Sequence, residues 1–142
     1  MTTKLRRVLL IDDNPADIFL HRRALTKADC VERIDTWEDG LQALEYLQRG
    51  DEGRPPHPEL IFLDINMRGM NGWEFLEAYH QLPADLRTGE VIAMLTVSRN
   101  PSDAARAREC SDVAEFLSKP LTPEMLDAIL ARHFPGLHGR SA

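Results

Sequence analysis

Four short apolar runs in this chain each stop at a residue able to do chemistry, and that pattern limits the folds open to it. Val8-Leu9-Leu10-Ile11 ends at Asp12-Asp13, Leu60-Ile61-Phe62-Leu63 at Asp64, Val91-Ile92-Ala93-Met94-Leu95 at Thr96, and Phe116-Leu117 at Ser118-Lys119-Pro120. A continuous apolar run bounded by turn residues suits a strand buried on both faces. Arg33 to Trp37 is a weaker strand candidate. Between the runs lie stretches of helical period. Asn14 as N-cap and Pro15 at the first helical position open a helix whose apolar stripe is Leu20, Ala24, Leu25 and Ala28. Asp39-Gly40 precedes a second, with Leu41, Leu44 and Leu47. The loop Asn66 to Gly72 leads into a third, carrying Trp73, Phe75, Leu76 and Tyr79. Pro101 to Glu109 reads as a short helix with little apolar surface, and Pro123 opens a last one with Met125, Leu126, Ile129 and Leu130 inward. Gly50 to Pro58, with its prolines and glycines, reads as a loop, and the tail after Phe134 as disordered. Five strands alternating with five helices predict an α/β fold, an open parallel sheet covered on both sides.

Composition narrows the function classes. The 142 residues suit one domain. Cys30 and Cys110 form no CxxC, which argues against a disulfide framework or a thiolate zinc site and for a reducing, cytoplasmic compartment. A net charge of −6 argues against nucleic acid, whose binders carry a basic face. The apolar runs are far too short to cross a membrane, and Met1 to Arg7 lacks the pattern of a signal peptide.

In an open α/β sheet, ligands bind outside the carboxyl ends of the strands. Asp12, Asp13, Asp64, Thr96 and Lys119, spread over more than a hundred positions, would therefore meet in one cleft. Three carboxylates together repel one another unless a cation sits between them. A hard divalent ion with oxygen ligands removes that repulsion, and Mg²⁺, which keeps several waters, is the expected one. Lys119 and Thr96 then suit the oxygens of a phosphoryl group. Singly, each residue has a plain structural reading: helix-dipole complement for Asp12-Asp13, turn residue for Asp64, capping hydroxyl for Thr96, solvated lysine for Lys119. Their joint placement at strand ends is what points to chemistry.

These residues resemble the receiver domain of two-component response regulators. The resemblance rests on Leu9-Leu10-Ile11-Asp12-Asp13-Asn14, Ile61-Phe62-Leu63-Asp64, Asn66-Met67, Met70-Asn71-Gly72, Thr96 and Phe116-Leu117-Ser118-Lys119-Pro120, and it covers about residues 5–134. It implies a doubly wound, flavodoxin-like sheet of strand order 2-1-3-4-5. It implies that Asp64 is the phosphoacceptor for a histidine kinase, that Asp13 ligates Mg²⁺ directly and Asp12 mainly through water, and that the Asn66 carbonyl is a further metal ligand. Thr96 and Lys119 would each take a phosphoryl oxygen, Thr96 shifting on activation. Phe116 would be the aromatic residue that changes burial. The signalling surface would be 102–109, 114–119 and 123–133. Such a protein is a phosphoacceptor with its own phosphorylation and dephosphorylation chemistry rather than an enzyme.

Several positions depart from the family pattern. Arg68 stands where proline is usual, Asn71 where aspartate is common, Val97 where a small residue follows the threonine, and Asp112-Val113 where Gly-Ala is usual. The segments Gly50–Pro58, Asp13–Asp17 and Pro83–Glu90 resemble single-domain regulators paired with phytochrome-type and other hybrid sensor kinases. That implies a chain with no output domain and a homodimer through the last strand and helix, although the apolar residues there equally suit a core. Two other readings stand beside this one. A phosphorylation-independent scaffold would bind a partner and no Mg²⁺. A haloacid-dehalogenase-like phosphatase would need its nucleophile on the first strand in a DxD pattern, where this chain has adjacent Asp12-Asp13.

Overall fold

Alternation along the central strands decides which helices lie on which side of the sheet. The computed structural model describes residues 4–49, 57–87, 91–97 and 100–136. In chain order they form β1 (Leu5–Ile11), α1 (Pro15–Ala28), β2 (Val31–Trp37), α2 (Gly40–Arg49), β3 (Leu60–Leu63), α3 (Gly72–His80), a 3₁₀ turn (Ala84–Leu86), β4 (Val91–Thr96), α4 (Pro101–Glu109), β5 (Glu115–Ser118) and α5 (Pro123–His133). All strand pairs are parallel, in the order β2-β1-β3-β4-β5. This is the expected doubly wound α/β sheet.

Successive residues of a strand face opposite sides. Leu9, Ile11, Ile61, Leu63, Ile92 and Met94 face one side and pack with Ala43, Leu47, Phe75 and Tyr79 of α2 and α3, where Ala107 of α4 joins them. Val8, Leu10, Leu60, Phe62, Ala93 and Leu95 face the other and pack with Leu25 of α1 and Leu126, Ile129 and Leu130 of α5. The apolar runs are continuous because β1, β3 and β4 are covered on both faces.

The helix starts follow their sequence signals. Asn14 caps α1 by accepting from the Ala16 and Asp17 N–H groups, Asn100 caps α4, and Thr122 caps α5. At α3, Asn71 accepts from the Glu74 N–H while Glu74 accepts from the Asn71 N–H, both at 2.9 Å. Asparagine caps as well as aspartate, so the departure at position 71 costs the helix nothing. Asp112 is likewise engaged, 3.0 Å from His80 Nδ1, and Val113 packs on the core.

The structure corrects several details. The first two strands begin earlier than expected, at Leu5 and Val31. Leu20 is half exposed; the inner face of α1 is Ile18, His21 and Leu25. Leu25 is buried as expected and Ala24 and Ala28 pack against the same core, so Leu20 alone leaves the stripe, its place on the inner face taken by Ile18 and His21. His21 is buried, and burial pushes its pKa down, with nearby Lys119 adding to the effect. Leu41 is exposed, while α2 buries Leu44 and Leu47 as expected, together with Ala43 and Tyr46. Met125 is only partly buried. Residues 50–56 of the expected loop, Glu90 and the tail from 137 lie outside the described residues.

Two outcomes follow for stability. A Cβ at Gly72 would sit 2.5 Å from the Asp64 carbonyl oxygen and 2.9 Å from the Ile65 Cα, both backbone atoms. Gly72→Ala is expected to lower unfolding free energy by about 1–3 kcal/mol in urea titrations, the usual cost of overpacking. On β5, Glu115 accepts from Arg132 at 2.8 and 3.0 Å and lies 2.9 Å from His133, joining β5 to α5. The Arg132 hydrogen bond chiefly holds the Glu115 carboxyl below its ordinary value, against a smaller opposing effect of burial. This stabilisation is therefore complete above the unfolded-state value and is lost as pH falls through the folded one. Thermal unfolding below about pH 5 should fall less steeply with acid in Glu115→Gln than in the wild type.

Candidate functional site

The backbone ladders continue one residue past the strands and so fix where the acids stand. The Asp12 N–H donates to the Trp37 carbonyl, the Asp64 N–H to the Ile11 carbonyl, and the Lys119 N–H to the Thr96 carbonyl, at 2.9–3.0 Å. Asp12, Asp64 and Thr96 are each at least 95% buried. The loop after β3 is held by the Gly72 N–H donating to the Ile65 carbonyl at 2.8 Å. The close approach that forbids a side chain at Gly72 thus sits directly beneath Asp64.

Asp12, Asp13 and Asp64 bring one carboxylate oxygen each within 4.8 Å of one another. Lys119 Nζ lies 2.7 Å from Asp12 Oδ2 and 3.5 Å from Asp64 Oδ2. It also lies 2.6 Å from Asp17 Oδ2, on the first turn of α1. Burial, and then the charge of Asp12, push the Asp64 pKa up to about 6, partly offset by Lys119 and a backbone hydrogen bond from Asn66. For Lys119, burial pulls the other way, but hydrogen bonds to Asp12 and Asp17 outweigh it and raise the ammonium above its ordinary value. Asp64 Oδ1 is buried and has no hydrogen-bond partner among the described residues. An unpartnered buried carboxylate oxygen within a three-acid cluster is the donor set of a hard divalent cation, so the residues fit Mg²⁺.

The expected site residues therefore divide. Asp12, Asp13, Asp64 and Lys119 meet at one point, with Thr96 buried at the end of the neighbouring strand. Asn66 follows on the exposed loop, and Phe116 is half-buried in mid-strand, packed against the α2–α3 side. Two participants were not assigned from the sequence. Asp17 reads as an ordinary acid complementing a helix N-terminus. Arg68 reads only as an odd residue in a loop, yet its N–H and its Nε both donate to Asp13 Oδ2, at 2.9 and 3.3 Å. A separate cavity of about 490 Å³ between β2 and α2, lined by Arg33, Asp35, Trp37 and Tyr46 among others, contains none of the expected site residues.

Residues 8–131 match the response regulator receiver domain. The chain belongs to that family. Receiver domains are signalling phosphoacceptors of two-component systems, phosphorylated by histidine kinases, and they bind a divalent metal at their aspartate cluster. Response regulator Rcp1 of Synechocystis is 34% identical over 103 residues, 72% of this chain and 69% of Rcp1. Its Mn²⁺-bound crystal structure matches with a TM-score of 0.71 and 30% identity, covering 89% of this chain and 92% of that one. A two-component response regulator from Cytophaga hutchinsonii matches with a TM-score of 0.83 and 32% identity, over 93% and 98% of the two chains. The bacteriophytochrome response regulator AtBRR matches at 0.75 and 28%, over 95% of each. Histidine-protein kinase BarA of Escherichia coli is 30% identical over 91% of this chain, which spans only 13% of BarA. No helix among the described residues is long and apolar enough to cross a membrane.

The exposed Arg68 guanidinium lies 3.3 Å from Asp13 Oδ2, so its positive charge would compete with a cation for that carboxylate. Arg68→Ala is expected to tighten Mg²⁺ binding by about two- to fourfold, the scale of an exposed ion pair, in calorimetric titrations at low salt.

Proposed function

We propose that this receiver accepts a phosphoryl group on Asp64 from the phosphohistidine of a sensor histidine kinase. The observation that carries this is the Asp64 carboxylate, buried, 3.5 Å from the Lys119 ammonium and within reach of two further carboxylates. Asp12, Asp13 and Asp64, with the Asn66 carbonyl, would hold Mg²⁺, Asp13 directly and Asp12 mainly through water. When bound, the ion neutralises charge on the transferring phosphoryl oxygens. The remaining chemistry belongs to the chain. An Asp64 oxygen forms the bond to phosphorus as the P–N bond of phosphohistidine breaks, and the electron pair stays on the imidazole nitrogen. Lys119 pairs with one phosphoryl oxygen and the Thr96 hydroxyl donates to another. The product is an acyl phosphate, which water later hydrolyses.

The added charge of about −1.5 to −2 lies beside the ends of β4 and β5. In this reading it draws the Thr96 hydroxyl toward the phosphoryl group, changes the burial of Phe116, and alters the face formed by α4, β5 and α5. The residues given roles here, from Asp12 to Lys119, all lie within the matched stretch 8–131. The likeness to the bacteriophytochrome response regulators RtBRR and AtBRR favours a phytochrome-type kinase as donor. A homodimer through β5 and α5 would have to use the half-buried Leu117, Met125 and Phe134, because Leu121, Leu126, Ile129 and Leu130 belong to this chain's own core. The scaffold reading explains the site less well. Burying Asp12, Asp64 and the Lys119 ammonium costs desolvation, which a surface that only docks a partner does not need.

Intact mass after incubation with Mg²⁺ and a small phosphodonor tests the proposal. The wild type should gain one phosphoryl group and Asp64→Asn none; a wild type that binds no Mg²⁺ and gains no mass would favour the scaffold. Val97, 65% exposed just after Thr96, is expected to slow the approach of water. Val97→Ala should then shorten the phosphoryl half-life, and an unchanged decay rate would refute that role.

A further inference from the structure

Lys119 has three N–H donors, and two of them are held at charge-assisted hydrogen-bond distance by carboxylates other than the phosphoacceptor. Asp17 Oδ2 is the nearest at 2.6 Å, Asp12 Oδ2 follows at 2.7 Å, and Asp64 Oδ2 lies at 3.5 Å, beyond a short bond. The Lys119 and Asp12 side chains are each 7% exposed, while that of Asp17 is 25% exposed. Asp12 belongs to the group able to hold a cation, but Asp17 does not. A metal that engages Asp12 therefore leaves Asp17 as the lysine's undivided partner. Asp17 is also well placed to hold on. It stands in the first turn of α1, where its own N–H donates to the capping Asn14 side chain at 3.4 Å.

We propose that Asp17 is a positioning residue that competes with the phosphorylated Asp64 for Lys119, drawing the ammonium toward α1 and weakening its grip on the phosphoryl group. The inference rests on Asp64 being the phosphoacceptor. It makes the strength of the Lys119–phosphoryl contact a property of α1 as well as of the strand ends. The anion in question is the tetrahedral phosphoryl group on Asp64, for which beryllofluoride is a non-hydrolysable stand-in.

Beryllofluoride affinity in saturating Mg²⁺, followed by ¹⁹F resonance and by intrinsic tryptophan fluorescence, is the direct test. Asp17→Asn should bind about fivefold tighter than the wild type, the scale of coupling between residues in contact. Asp17→Glu, which keeps the charge, should return the affinity toward the wild-type value. In a Lys119→Gln background, Asp17→Asn should add nothing, because its effect passes through the lysine. Should Asp17→Asn not fold by circular dichroism, Asp17→Ser takes its place in the same cycle. An unchanged or weaker affinity in Asp17→Asn overturns the proposal, as does an equal gain in the Lys119→Gln background, which would make the effect simple charge removal. Failure of the folded wild type to bind beryllofluoride at all would instead refute the phosphoacceptor reading, and this inference with it.

Discussion

One ammonium group holds the top of this molecule together. Lys119 touches carboxylates carried by β1, β3 and α1, so four stretches of chain, its own included, meet on a single charge. Buried alone, any of these groups would be costly; paired, they offset one another's desolvation. The pairing is incomplete, because the acids outnumber the lysine. That surplus is what gives the site its affinity for positive charge, and the parallel register beneath it keeps the acids from moving apart. The backbone bonds from Asp12, Asp64 and Lys119 extend three ladders by one step. The electrostatics of the site thus rest on the hydrogen-bonded ladders of the sheet.

Around that centre the unusual residues have been accommodated locally. Asn71 completes a reciprocal cap with Glu74, Asp112 meets His80, and Arg68 settles on Asp13. Each substitution found a partner within reach and left the strand ends undisturbed. Of these residues Arg68 alone touches a member of the acid cluster, which places a departure from the family pattern against a group the family uses for its metal.

The sheet and the acid cluster were legible because both depend on position along a strand. A continuous apolar run reports burial on two faces, and a polar residue at its end reports the carboxyl edge. Helix faces were less legible. Leu20 and Leu41 fit an apolar period but point outward, while His21, a polar residue that a hydrophobic count discards, faces inward. The partnerships of Lys119 with Asp17 and of Arg68 with Asp13 span 102 and 55 residues. Nothing local encodes them. They exist because the topology brings the start of α1 and the loop after β3 to the same end of the sheet.

Helix α4 differs from the other helices in how little of it is committed to the interior. Ala107 is its one buried side chain, and its nearest polar tethers run to Trp73, whose Nε1 donates to Asp103 at 3.2 Å and whose ring lies 4.6 Å beneath the Arg106 guanidinium. Most substitutions on its outer surface therefore remove no core contact, and surface changes of that kind leave stability nearly unaltered. A lineage carrying this fold is free to rewrite the outer surface of α4 without risking collapse of the sheet. Freedom to change is concentrated in one helix, at little cost to the folded sheet.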